Sequence, residues 1–364
     1  MNESNNSPTQ PGLRLGRRDL FKGAAMGAAG FSLSSLLEAC GGTTTTPTSS
    51  SGGGQGNFPS HPTWNFVFVN HVTTNPFFVP TQYGIQDACA LLGCKYQWTG
   101  SENSIVAEMV DKMNAAIAAK ADGIAVSIID PMAFNDPVQR ALSAGIPVVA
   151  YNADAPASSN NARLAYIGQD LFQSGVQVGK RIASLVPSGN IAGFIATPGT
   201  LNIQPRIDGI KSVLSTMPSI SFTEVATGAA VNDELSRIEA YYLGHQNLKG
   251  MVAVDAGSTQ GTAQIMEKYG LAAKGVHAGG YDLLPKTLQE IKAGNLDFTI
   301  DQQPYLQGFI PVIQLFLYKL SGGLQQPSNT NTGLLFVTKN NVGSYLSTQT
   351  RFEGSSNQEK LVSP

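Results

Sequence analysis

From Trp64 to Leu320, short β-branched runs alternate with helical windows of about twelve residues. That alternation limits the fold more than any other feature of this 364-residue chain. "WNFVFVN" precedes a helical window over 79–92, and "SIVAEMVDKMNAAIAAK" sets Ile105, Val106, Met109, Val110, Met113 and Ile117 on one helical face. "DGIAVSI", a helix over 133–144, "IPVVAYN", "ARLAYIG" and "FQSGVQVGKRIASLV" continue the series. "NIAGFIA", a helix over 203–216, "ISFTEVA", a helix over 232–243, "LKGMVAVD" and a helix over 259–269 follow. "GVHAGGYD", a helix over 284–293, "LDFTID" and "YLQGFIPVIQLFLYKL" close it. Strands alternating with helices mean parallel sheets covered on both faces. About eleven strands exceed one ordinary sheet, so two α/β lobes are expected.

Open sheets of this kind bind ligands beyond the carboxyl ends of their strands. The residues there are His71 to Phe78, Asp130, Asn152 and Asp154, Thr197 to Arg206, Asp255, Asp282, and Asp301 to Gln303. They supply carboxylates, amides, one Arg and a Phe pair, with no nucleophile beside a base. "DAGSTQG" follows a strand, but Thr259 stands where a nucleophile elbow carries Ser. Four His without metal-ligand spacing give no ground for a metal, so neither catalysis nor a cofactor is expected. Net charge is −2, and no basic stripe remains beyond the first 39 residues, which argues against nucleic acid as a partner.

The N-terminus reads as a targeting segment outside the fold. "GRRDLFKGAAMGAAGFSLSSLLEAC" opens with an arginine pair that resembles a twin-arginine export signal and ends like a bacterial lipobox. Residues 1–39 are therefore expected to be a signal, with Cys40 the lipidated residue. Residues 40–62, beginning "CGGTTTTPTSSSGGGQGN", carry almost no large side chains and read as a tether. Localisation is expected to be extracytoplasmic, with the chain lipid-anchored to the cell membrane. Cys89 and Cys94 can be a disulfide or two thiols.

Four segments carry a family resemblance: "NPFF", "GTLNIQPRIDGIKSVL", "AVDAGSTQGTAQ" and "GGYDLLPKTLQEIKAGNLDFTIDQQPYLQG". In this order they resemble the type I periplasmic solute-binding proteins of sugar ABC transporters, the ribose- and galactose-binding class. The resemblance implies two doubly wound parallel-sheet lobes joined by a three-strand hinge, with the ligand cleft between them. The lobes would be 63–166 with 303–335 and 167–302 with 336–364. Crossings would fall near Tyr166–Asp170, Gln302–Gln303 and Leu335–Thr338. It places ligand contacts on Asn75, Phe77, Phe78, Arg206, Asp255, Asp282 and Gln302. Asn152 and Asp154 join them, although Asn152 and Ala153 replace the family's frequent Asp-Arg pair; His71 lies where many members carry a small hydroxyl residue. The implied partners are a monosaccharide or sugar alcohol and ABC permease subunits, for a monomer. Signalling to a chemoreceptor or kinase is the alternative.

These residue types suit a sugar. Carboxylates accept from hydroxyls, a guanidinium gives parallel donors to neighbouring oxygens, and Phe offers an apolar face to C–H groups. Blander roles stand beside them: Asp255 and Asp130 can cap helices, Phe77 or Phe78 can pack under its loop, and His61, His245 and His277 read as surface or structural. Arg206→Ala is expected to abolish ligand binding and leave the unliganded protein's stability unchanged.

Overall fold

The structure, a computed structural model, describes residues 57–348, 350–354 and 356–357. β1 (Asn65–Asn70) sends Phe66 and Phe68 to one core and Val67 and Val69 to another, as a strand buried on both faces must. After the turn Pro76–Phe78 come α1 (Val79–Leu92), β2 (Lys95–Gly100), α2 (Val106–Ala118) and β3 (Gly123–Val126). α3 (Asn135–Ser143), β4 (Val148–Tyr151) and β5 (Tyr166–Gly168) complete this run. The second lobe holds α4 (Leu171–Leu185), β6 (Gly189–Ile195), α5 (Gln204–Leu214), β7 (Ile220–Ala226) and α6 (Val231–Gly244). It continues with β8 (Leu248–Ala253), α7 (Ala256–Lys268), β9 (His277–Gly279), α8 (Pro285–Ala293) and β10 (Thr299–Asp301). α9 (Pro304–Leu320), β11 (Thr330–Asn331), β12 (Leu335–Val337) and α10 (Val342–Thr348) are the last elements of the described chain.

The first sheet has the order β11-β5-β4-β3-β1-β2 and the second β7-β6-β8-β9, every pairing parallel. Both are doubly wound, and the strand order reverses between β1 and β3 and between β6 and β8. Those switch points are where such sheets open a crevice. The lobe-to-lobe passages lie between β5 and α4, between β10 and α9, and between β11 and β12, where β10 and β12 form a separate antiparallel pair.

Three details differ from the sequence reading. β2, "KYQWTG", was not anticipated as a strand; it is an edge strand whose alternate residues face solvent, so its apolar signal is weak. The folded body starts before residue 63, because Phe58 packs edge-on to Phe316 at 5.2 Å and His61 stacks on Trp64 at 5.1 Å. At the other end, residues 350–354 do not stay with the second lobe. Arg351 pairs with Asp87 at 2.8 Å and Phe352 meets Tyr305 at 4.9 Å, both on first-lobe helices. Cys40 and the segment expected to be a signal lie outside the described residues, among which no helix is long and apolar enough to cross a membrane.

Candidate ligand-binding site

The carboxyl ends of both sheets meet at a cavity of about 60 Å³. The first lobe lines it with His71, Val72, Asn75, Phe77, Phe78, Ser104 and Asn152. The second adds Ala196, Thr197, Asn202, Ile203, Arg206, Ala229, Glu234, Asp255, Ala256 and Asp282, and Gln302 enters from the hinge. Nine of the ten ligand contacts expected from sequence are therefore together: His71, Asn75, Phe77, Phe78, Asn152, Arg206, Asp255, Asp282 and Gln302. Asp154 is the exception and a correction. Its carboxylate is held by both arms of the Arg163 guanidinium within the same lobe, and it faces a different cleft beside Asp170 and Phe172. An acceptor already matched by a guanidinium fork has little left for a sugar.

Local chemistry fixes each side chain. Asn75 caps the turn Pro76–Phe78, its Oδ1 accepting from Phe77 N–H at 2.9 Å, which leaves the amide nitrogen for a ligand. Phe77 and Phe78 are both buried, edge to face at 4.7 Å, in a core that also takes Ala256 and Leu284 from the second lobe. They pack under the loop and wall the cavity at once. Phe78 also meets the His71 ring edge-on at 5.3 Å.

Burial, and secondarily the charge of Arg206, lower the His71 pKa to about 3, so the imidazole is neutral at ordinary pH. Its Nε2 takes the amide nitrogen of Asn202 at 3.2 Å, and Nδ1–H donates to Ser127 Oγ at 2.9 Å. The first of these bonds joins the lobes. So does the Leu201 N–H bond to Ile129 C=O at 3.0 Å.

Arg206 sits in the first turn of α5, whose close approach to α4 needs Gly175: a Cβ there would lie 2.1 Å from the Arg206 carbonyl oxygen. The guanidinium donates to Val254 C=O at 2.7 Å and Gln169 Oε1 at 3.2 Å, and it lies 4.1 Å over the Tyr281 ring. Asp255 both caps α7 and lines the cavity; it accepts from Ser258 N–H at 2.8 Å and Ala196 N–H at 2.9 Å. Burial nevertheless raises its pKa.

Asp282 and Asn152 adopt left-handed backbone at φ 77° and 63°, a cost that recurs where side chains are aimed at ligands. Burial pushes the Asp282 pKa up to about 6 against the pull of Arg206. A polar chain then crosses the hinge. Gln302 Nε2 donates to Asp282 Oδ1 at 2.7 Å, Gln307 Nε2 to Gln302 Oε1 at 3.2 Å, and Asn152 Nδ2 to Gln307 Oε1 at 3.0 Å.

Asn202 and Glu234 are among the lining residues that sequence reasoning did not single out. Asn202 lay inside the flagged segment Thr197 to Arg206, but nothing ranked it. Glu234 lies on α6 in line with buried Ile238 and Tyr242 at four-residue steps, and a carboxyl on an apolar helical stripe was the available signal. Burial and the neighbouring Asp255 raise its pKa to about 9. The helix N-terminus opposes that shift, but typically by only about 0.3–1 kcal/mol, so burial and like charge win.

Among the described residues, the buried side-chain polar atoms with no hydrogen-bond partner include Asn202 Oδ1, Arg206 Nε and Glu234 Oε2, all on residues of this cavity's lining. Such groups are costly unless a ligand or water satisfies them. Cys89 and Cys94 are free thiols, with Cys94 N–H bonded to Cys89 C=O at 3.0 Å. No cluster of potential metal ligands occurs among the described residues.

A doubly wound pair of lobes with a polar cavity at both switch points defines a class, and comparison with known proteins places the chain within it. The periplasmic binding protein domain matches residues 66–321, and the chain belongs to that family. It is 57% identical over 320 residues to the xylose/arabinose-binding protein XylF of Sulfolobus acidocaldarius, covering 85% of this chain and 79% of the relative. Among solved structures it resembles an ABC transporter solute-binding protein from Burkholderia graminis in complex with D-arabinose. That match has TM-score 0.72 and 28% identity, over 78% of this chain and 97% of the other. A solute-binding protein from Agrobacterium vitis bound with α-D-tagatopyranose matches with TM-score 0.70 and 23% identity, over 77% and 96%; this likeness speaks for the fold alone.

Proposed function

We propose that the chain captures an aldopentose, xylose or arabinose, between its two lobes and delivers it to an ABC-type importer. The observation that carries this reading is the set of unpartnered polar atoms on Asn202, Arg206 and Glu234 around one small cavity between the lobes. A polyhydroxylated ring offers each of them a partner. At roughly 10–15 Å³ for each water-sized group, the space suits one small ring and excludes an oligosaccharide. Kinship with a xylose/arabinose-binding protein supports the pentose assignment. The family is one of binding proteins, and the site is assigned no covalent step.

Asn75, Phe77, Phe78, His71, Asn152, Arg206, Asp255, Asp282 and Gln302 are the proposed sugar contacts. The lobes turn about the three passages, and ligand shifts the population toward the closed form because only that form presents both halves of the site. Export through the twin-arginine-like segment, lipidation of Cys40 and a monomeric body tethered outside the cytoplasm complete the proposal. Calorimetric titration of the purified full chain tests it. D-xylose or L-arabinose is expected to bind at one site per chain; silence toward both, with binding of an amino acid or peptide instead, overturns the reading.

A further inference from the structure

Glu234 reaches the cavity from α6, buried to 2% exposure, with its carboxyl against Gly257, where a Cβ would lie 1.9 Å from Oε2. Its neighbour is the Asp255 carboxyl. Two buried carboxyls side by side do not both ionise. Asp255 is the one whose oxygens accept two backbone N–H groups, an arrangement that favours its anion, so the shared proton resides on Glu234. The other charged or titratable groups facing the pair are Asp233 on α6 itself and, across the cavity, Arg206, Asp282 and His71. Glu267 and Lys268 occupy the far end of α7, and Arg237 lies by the Gly228 turn.

We propose that Glu234 is a sugar-contacting residue that works as an uncharged carboxylic acid, donating to Asp255 while its second oxygen accepts a ligand hydroxyl. This rests on the sugar-binding reading above. An acid in that role selects twice. It requires a hydroxyl at one ring position, since a ligand lacking it leaves a buried acceptor unpaired. It also fails once deprotonated, because a second negative charge beside Asp255 displaces the pair.

The test is titration of the full chain with D-xylose, L-arabinose and their singly deoxygenated analogues from pH 6 to pH 10, for wild type, Glu234→Ala and Glu234→Gln. Wild-type affinity is expected to fall several-fold, up to about tenfold by pH 10, as the proton held with a pKa of about 9 is lost. Glu234→Ala loses tenfold or more at pH 7, Glu234→Gln rescues most of that loss, and its affinity stays flat to pH 10. One deoxy analogue loses affinity with wild type but loses nothing further with Glu234→Ala. An alkaline fall that persists in Glu234→Gln, or analogue losses that all add to that of Glu234→Ala, overturns the inference alone. A Glu234→Ala chain that does not fold leaves the Glu234→Gln pH profile to decide. A wild type that binds no sugar at all overturns the functional reading and this inference together.

Discussion

Arg206 shows how a residue's role changes between sequence and structure. From sequence it was a fork projecting into a cleft, expendable to the unliganded fold. In place it is 2% exposed, bonded to Val254 C=O and Gln169 Oε1 and stacked on Tyr281. Removing it strands two buried acceptors, at roughly 1–3 kcal/mol for each unsatisfied group. Arg206→Ala is therefore expected to lower the unliganded melting temperature by several degrees as well as abolish sugar binding. Arg206→Lys, a point charge without the fork, keeps more stability than affinity. Differential scanning calorimetry beside titration separates the two effects; an Arg206→Ala chain melting like wild type would return Arg206 to the simpler role. The other proposed contacts were legible as residue types at strand ends. What the sequence did not carry was pairing: Asp154 reads like Asp255 until Arg163 is seen to hold it.

At the scale of elements, strand–helix alternation was almost fully readable, because buried parallel strands must be apolar throughout and amphipathic helices must cover them. β2 escaped because an edge strand can be polar on alternate residues, and β11 because two residues carry no period, whereas β12 coincides with the crossing expected near Leu335–Thr338. Helix contacts were not legible either, and α4 against α5 bears directly on the site. Gly175 lets the α5 backbone approach so closely that Arg206 reaches both Val254 and the cavity. Gly175→Ala forces the helices apart. It is expected to cost about 1–3 kcal/mol in urea unfolding and to weaken sugar binding although it touches no ligand. Unchanged affinity in that variant would mean that Arg206 is positioned by something other than this helix pair.

Over the whole molecule, the lobes are tied by contacts that converge on one point. His71 bonds Asn202 across the cleft, Leu201 bonds Ile129, and Phe77 and Phe78 share a core with Ala256 and Leu284. The chain Asp282–Gln302–Gln307–Asn152 runs through the hinge between them. Each of these joins surfaces that an open form would expose, so the shut form leans on a guest to satisfy the polar atoms the protein leaves unpaired. Solution X-ray scattering of the full chain, with and without a saturating concentration of the proposed sugar, addresses that claim most directly. A smaller radius of gyration on adding the sugar, reversed when the sugar is dialysed away, is the predicted result. Identical scattering at a sugar concentration that calorimetry shows to be saturating would contradict it.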